Sequence, residues 1–395
     1  MRIPTLILTL LLMPAGTAFA AERLDIAIGY VGIKRPVTTI SLIAAPAEND
    51  GVAGAQIAID DNNTTGRFLD QHFTIETVKI ADPAAAAGTV TAMADKGIKF
   101  VVADLPAEAL LAAADAAKSR GVLMFNAGAA DERLREADCR ANLIHTAPSH
   151  AMLADALAQY LVWKKWQQWL LVVGSHPADR LFGDALKRAA KRFGARIVQE
   201  KTFEDTGGAR RTDSGLAQIQ RQIPVFTQDA PAYDVLVAAD ESDVFAPYLP
   251  YRTWQARPVA GSAGLVPTSW DPSHVQWAAI QMQNRFLAKF SRRMTARDIQ
   301  AWSAVRMVGE AATRIRSGDP AKMLDFFKTP AFSLAAFKGQ KLTLRDWNLQ
   351  LRQPILLADG HVVVSVSPQE GFLHAVSELD TLGNDRPETK CRLER

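Results

Sequence analysis

The residues with the most chemical potential in this 395-residue chain are its seven histidines, its two cysteines and a handful of adjacent carboxylates. None falls into a catalytic spacing. The chain holds no G-x-S-x-G elbow, no G-x-x-x-x-G-K-[ST] phosphate loop and no H-E-x-x-H pair. His145, His150 and His176 lie nearest one another in sequence, but not at metal-ligand spacing. Asp60-Asp61-Asn62-Asn63-Thr64 resembles the start of a calcium loop, yet Thr65 stands where such a loop needs glycine, and helical periodicity already accounts for the run. The expectation is a protein without metal, cofactor or catalytic residues, hence not an enzyme. Asp240-Glu241 is read as a pair able to hold a cation or hydroxyl groups, or else as an exposed strand end.

Cys139 and Cys391 make an even pair. In an oxidising compartment they read first as a disulfide tying the C-terminus to the middle of the chain, the alternative being two free thiols. The compartment follows from the N-terminus. Arg2, the apolar run Ile7 to Met13 and Ala18-Phe19-Ala20 have the order of a cleavable secretory signal, so residues 1–20 are expected to leave. An uncleaved anchor is the alternative, although the run is short of the ~20 apolar residues that span a bilayer. No cysteine stands directly after the cleavage site, so a bacterial lipoprotein is not indicated, and no later stretch is apolar enough to cross a membrane. The predicted location is the periplasm, where ATP and NAD are not supplied.

The remaining ~375 residues exceed one ordinary core and predict two lobes. The formal charge of +3 is near balance. The basic clusters at Lys187-Arg188, Arg210-Arg211 and Arg292-Arg293 lack interleaved aromatics, so they read as solvated faces, not a nucleic-acid surface. Trp163, Trp166 and Trp169 fit a helix end and strand start and read as packing residues.

These side chains are carried by alternating short apolar runs and helical patterns, the signature of βαβ units. Strands are predicted at 24–30, 73–80, 100–103 and 122–125, with helices over 50–62, up to 96, and 106–120. After Thr146-Ala147-Pro148-Ser149 the pattern restarts. Helices are predicted at 152–161, 182–193 and 216–222, strands at 169–174, 196–201, 234–239 and 258–261, and further helix from 274 to 316. Asp359-Gly360 between two apolar runs signals a hairpin of type I′ character. The fold class is therefore α/β: two Rossmann-like lobes with parallel central sheets.

Several segments carry a resemblance: Ile26-Ala27-Ile28-Gly29, the helix Gly54 to Asn62, Lys96 to Val102, Met124 to Ala130, and His145-Thr146-Ala147. In their order and spacing the chain resembles the type I periplasmic binding proteins, in particular the branched-chain amino-acid-binding group, over nearly its whole mature length. Asp61 to Phe68, Asp138 to Leu143 and Lys390 to Leu393 are also similar to binding proteins found with PQQ-dependent alcohol oxidation systems. The resemblance implies lobes joined by a multi-strand hinge, residues 21–145 plus 273–350 forming one and 146–272 plus 351–395 the other. It implies a monomer that binds a small organic ligand between its lobes and serves an ABC permease and ATPase; a sensor or accessory protein without transport is the alternative.

Ligands in such folds sit at the carboxyl ends of the strands. The implied contacts are Tyr30, Asp104, Leu105, Asn126, Ala127, Gly128 and Ala130 from one lobe. From the other come Phe182, Asp240, Glu241, Ala263 and Trp270. Tyr30, Phe182 and Trp270 suit an apolar or aromatic pocket, although Trp270 also suits simple packing. In the family's amino-acid binders, hydroxyl residues hold the α-carboxylate and an acidic residue the α-ammonium. Here Leu105-Pro106-Ala107, Ala130 and Ala263 stand at those places. A buried ammonium without a counter-charge costs several kcal/mol. The chain is thus expected not to bind free α-amino acids in the usual manner.

Overall fold

The computed structural model describes residues 23–34, 46–205 and 213–393. The proposed signal segment lies outside them. Among the described residues no helix is long and apolar enough to cross a membrane.

Two parallel sheets organise the chain. The first is five-stranded, in the order β2-β1-β3-β4-β5, formed by β1 (Leu24–Ile33), β2 (Gln71–Ile80), β3 (Phe100–Asp104), β4 (Leu123–Asn126) and β5 (Leu143–His145). β3 is buried along its whole length, as expected for a parallel strand covered on both faces. Helices α1 (Val52–Gly66), α2 (Ala86–Asp95) and α3 (Ala107–Lys118) connect these strands. α3 starts after Pro106 and carries Glu108 in its first turn and Lys118 in its last, matching the helix dipole.

The second sheet has the order β7-β6-β8-β9, from β6 (Gln168–Gly174), β7 (Arg196–Phe203), β8 (Val235–Ala239) and β9 (Val259–Gly261). Its helices are α4 (His150–Trp163), α5 (Pro177–Phe193), α6 (Asp213–Gln228) and the short α7 (Leu249–Arg252). The Ser149 hydroxyl caps α4 by accepting from Met152 N, and Gly194, in the left-handed conformation, closes α5. β10 (Val266–Thr268) leads the chain back to the first lobe, where α8 (Ala279–Phe290), α9 (Ala296–Ile315) and α10 (Pro320–Phe327) pack. A small antiparallel sheet of β11 (Leu334–Ala335), β12 (Lys341–Leu344) and β13 (Leu351–Arg352) follows. β14 (Ile355–Ala358) and β15 (Val363–Ser367) then join β10 in a second antiparallel sheet.

Three expectations need correction. The helical stretch over 274–316 is two helices, broken at Ser291, which takes a left-handed conformation to end α8. α6 runs well past the predicted 216–222 and through Pro224, because buried Ile223 and partly buried Phe226, edge-on to Phe203, hold it to the second-lobe core. The hairpin loop is not a two-residue type I′ turn. Gly360 has positive φ while its neighbours do not, and the Asp359 carboxylate accepts from His361 N and Val362 N instead. Of the three clustered tryptophans, Trp169 is buried, Trp166 packs at the core edge and Trp163 is 53% exposed.

α1 and α9 approach so closely at Gly54 that a Cβ there would lie 1.9 Å from the Asp298 carbonyl oxygen. Asp298 itself caps α9 through Thr295 and accepts from Gly51 N and Gly54 N. Where the chain passes between lobes, Gln350 and Gln353 knit the crossing segments together. Gln350 donates to the carbonyls of His145 and Ala147, and Gln353 to that of Thr146. Arg135, fully buried, adds bonds to Gln350 and the Ala147 carbonyl, and burial lowers its pKa to about 10.

Candidate functional site

The loops after β4 and β8 both reach the start of α4: the Ala130 carbonyl accepts from His150 N, and Glu241 Oε2 is 3.9 Å from His150 Nε2. In the first lobe β3 ends at Asp104, whose carboxylate is 2.7 Å from Arg297 Nη1 at the start of α9. Gly128 lies against it, since a Cβ at Gly128 would sit 2.2 Å from Asp104 Oδ1. Asp50 is 3.9 Å from Arg297 Nε, and burial together with nearby Asp298 raises its pKa. A cavity of about 370 Å³ opens here, lined by Ile33, Lys34, Glu48, Asp50, Lys79 and Asp104.

Asn126 turns its side chain back on its own loop. Its Oδ1 accepts from Gly128 N and Ala129 N, and its Nδ2 donates to the Ala129 carbonyl and lies 3.1 Å from His145 Nδ1. That fixes the 126–130 loop and leaves the Asn126 amide fully engaged. Ala130, half-buried, accepts from His150 N with its carbonyl, so the loop is stitched directly to the first residue of α4.

On the second lobe the two neighbouring carboxylates have opposite fates. Asp240 is buried and accepts from the backbone N–H groups of Val244, Phe245 and Ala246 at 2.7 to 2.9 Å, while its own N–H donates to Ser262. Burial still raises its pKa, with those three bonds opposing. Glu241 instead points outward, 39% exposed, with Oε2 3.9 Å from His150 Nε2. The His150 ring is largely buried, 5.7 Å from the Phe182 ring, and its Nδ1 meets no partner among the described residues. Asp179 joins the loops after β6 and β8 by accepting from His176 N and Ser242 N. His176 Nε2 lies 2.8 Å from Asp205.

The implied contacts therefore divide. Asp104, Gly128, Ala130 and Glu241 lie at or just after strand ends, whereas Phe182 lies within α5, buried in the second-lobe core beside the His150 ring. Leu105, Ala127 and Ala263 are buried in the cores. Tyr30 is fully buried in the first-lobe core, and so is Trp270, whose ring meets His274 edge-on at 5.2 Å. The Trp270 indole nitrogen is buried without an acceptor among the described residues. Sequence reasoning passed over His150 and Arg297 as site residues. The available signal for His150 was its place directly after the Ser149 cap, where a lobe crossing becomes a helix; for Arg297 there was none, since it comes from a helix far along the chain.

Asp60 and Asp61 lie in α1 and form ion pairs with Lys289 and Arg285 of α8. Cys139 and Cys391 are bonded, with 5.6 Å between their Cα atoms.

The family model described as periplasmic binding protein matches residues 37–358, most of the chain. The chain belongs to the periplasmic binding protein family. Solved structures agree in fold. A branched-chain amino-acid ABC transporter ligand-binding protein from Burkholderia xenovorans is 18% identical, with a TM-score of 0.69 over 86% of this chain and 95% of that one. A leucine-, isoleucine-, valine-, threonine- and alanine-binding protein from Brucella ovis in closed conformation is 14% identical, with a TM-score of 0.66 over 84% and 89%. An ABC transporter solute-binding protein from R. palustris in complex with benzoate is 14% identical, with a TM-score of 0.64 over 93% and 100%. No curated protein matches this periplasmic binding protein. The fold is thus that of a two-lobed, type I binding protein, and its family is one of ligand binders.

Proposed function

We propose that this binding protein closes on a small organic molecule bearing a hydroxyl or similar neutral polar group, and delivers it to an ABC permease driven by its ATPase. The single observation behind the ligand class is the His150-Glu241-Phe182 group. It combines a buried imidazole nitrogen without a partner among the described residues, the buried Phe182 ring packed beside it, and one outward carboxylate. A carboxylate accepts a hydroxyl proton and an aromatic ring covers an apolar body. Asp240-Glu241 is the pair that could supply a displaced acidic partner for an ammonium; Asp240 is already engaged by three backbone N–H groups, which leaves Glu241 alone in that role. Ala130 and Ala263 bring no hydroxyl. The transporter partnership is supported by fold neighbours named as ABC transporter components, and the neighbour bound to benzoate indicates that this architecture accommodates aromatic ligands. The link to PQQ-dependent alcohol oxidation rests on the resemblance of the segments 61–68, 138–143 and 390–393.

The protein acts as a monomer in the periplasm after loss of residues 1–20, with lobes divided near residues 145, 272 and 350. Closure needs only a higher ligand affinity of the closed state.

The test is thermal stability of the mature protein against leucine, valine, short and aromatic alcohols, their aldehydes and acids, and PQQ. Ligand at ~100 times its Kd stabilises the native state by about 2.7 kcal/mol. A shift with alcohols, weakened about tenfold or more in affinity by Glu241→Gln or His150→Ala, is the expected result. A shift with leucine or valine refutes the ligand class. No shift with any compound favours a sensor or accessory role.

A further inference from the structure

The C-terminal segment after β15 holds both lobes at once. On the second lobe, Gln159 of α4 accepts from Gln369 N and donates to Thr381 Oγ1. Leu382 is buried in the second-lobe core. Gly383 donates to Asp155 of α4 at 2.8 Å, and its carbonyl accepts from Arg192 of α5 at 2.7 Å. Arg192 also reaches Glu388 at 3.3 Å. These contacts place residues 381–388 firmly against α4 and α5.

The same segment is fastened to the other side of the hinge. Asp380 accepts from Arg345 Nε and Arg352 Nε, each at 2.8 Å, on the turn and strand that follow β12. Arg345 donates onward to the carbonyls of Leu379 and Leu382. Leu342, Leu344, Leu349 and Leu351 around these arginines belong to the first-lobe core. Glu136, between β4 and β5, accepts from Asn384 Nδ2 and from Lys390 N, and one residue later Cys391 is bonded to Cys139. β5 is the edge strand of the first sheet. Leu393 packs against the first-lobe core.

We infer that residues 379–391 form an interlobe strap that limits how far the lobes open. Besides the three passages of the main chain between lobes, the disulfide gives a fourth covalent connection. It lies beside the C-terminal end of α3, where Asp115, Lys118 and Arg140 surround Cys139. Hinge opening moves the 132–139 segment relative to α4 and α5. With Cys391 fixed to Cys139, that motion can extend only as far as the slack between Gly383 and Cys391 allows. Part of that slack is wound into a turn at Arg386–Glu388, held by Glu388 accepting from Asp385 N. Further opening must pull Gly383 from Asp155 and Arg192, a buried charged group whose separation leaves Asp155 without its full set of donors. The strap thus biases the ligand-free protein toward a partly closed arrangement and narrows its range. The strap acts in the ligand-free protein, whatever the ligand.

The experiment compares the mature, ligand-free protein in three forms by small-angle X-ray scattering and amide hydrogen exchange. These are the oxidised wild type, the wild type reduced with dithiothreitol and checked for two free thiols by mass spectrometry, and a variant with four Gly/Ser residues inserted between Thr389 and Lys390, its disulfide intact. Expected is a larger radius of gyration and about tenfold faster exchange at residues 145–149 and 350–354 in both altered forms, with β6 and β8 amides unchanged. If the lengthened variant matches wild type in both measurements, the strap is refuted, whatever reduction does. If reduction unfolds the protein by circular dichroism, the lengthened and still cross-linked variant alone decides.

Discussion

Replacing Lys338 by methionine removes a cation that the fold buries without a carboxylate partner among the described residues. Lys338 is 2% exposed, and its Nζ is 2.7 Å from Gln353 Oε1 and 3.4 Å from the Pro354 carbonyl. Burial lowers its pKa from 10.5 to about 7. The difference, at about 1.4 kcal/mol per pH unit, corresponds to about 5 kcal/mol of cost to the folded state when the amine is charged. Below pH 7 the lysine is protonated in both folded and unfolded chains and the full cost applies. Between pH 7 and 10.5 the unfolded chain binds more protons than the folded one, so wild-type stability rises with pH through this window. Above it the cost is gone. Methionine has no proton to bind and nearly the same length. It forfeits the bonds to Gln353 and Pro354, a loss of about 1–3 kcal/mol. Lys338→Met is therefore expected to be more stable than wild type by about 2–4 kcal/mol at pH 6, an advantage that vanishes and reverses by pH 10. Urea unfolding at pH 6, 7.5, 9 and 10 reads this directly, and the difference between the two proteins cancels groups that do not feel Lys338; His274, whose pKa burial lowers and Lys338 lowers further, is relieved of the lysine's effect in the variant. A variant less stable than wild type at pH 6, or one with the same pH slope, refutes the argument that the charge is buried at a cost.

Two glycines in helices separate packing from propensity. Gly54→Ala drives a methyl group into the Asp298 backbone and is expected to lower stability by about 3 kcal/mol, whereas Gly88→Ala, with open space around its Cβ, is expected to raise it by about 0.5–1 kcal/mol in thermal or urea unfolding. The disulfide closes a loop of 252 residues, so the Cys139→Ser, Cys391→Ser double variant is expected to lose about 5 kcal/mol in the chain-entropy model. Urea unfolding under non-reducing conditions checks this; a loss below about 1 kcal/mol refutes an entropic role for the bond.

The βαβ order was legible because parallel strands such as Phe100–Asp104 are continuous apolar runs and helices such as α3 carry their own start and stop signals. Boundaries failed where packing outweighed local preference, as when α6 continued through Pro224. The cysteine pairing was legible from count and compartment alone. Asp240 and Glu241 were indistinguishable in sequence, yet one caps its own loop and the other faces His150. Tyr30 and Trp270 were candidates for a pocket by residue type, and the fold places both in the first-lobe core. Arg297 was out of reach because its partner Asp104 lies 193 residues away in the chain.

What the sequence determined by itself are the features that depend on neighbours within a few residues: strand and helix order, caps and a two-lobed α/β architecture. What only the tertiary structure decided is which polar side chains have their hydrogen bonds taken, how the C-terminal segment binds both lobes, and where a lysine is buried without a carboxylate partner among the described residues. The physical reason is that periodicity reports which face of an element is apolar, while the state of a polar group depends on whether its hydrogen bonds are taken by residues brought from elsewhere in the chain.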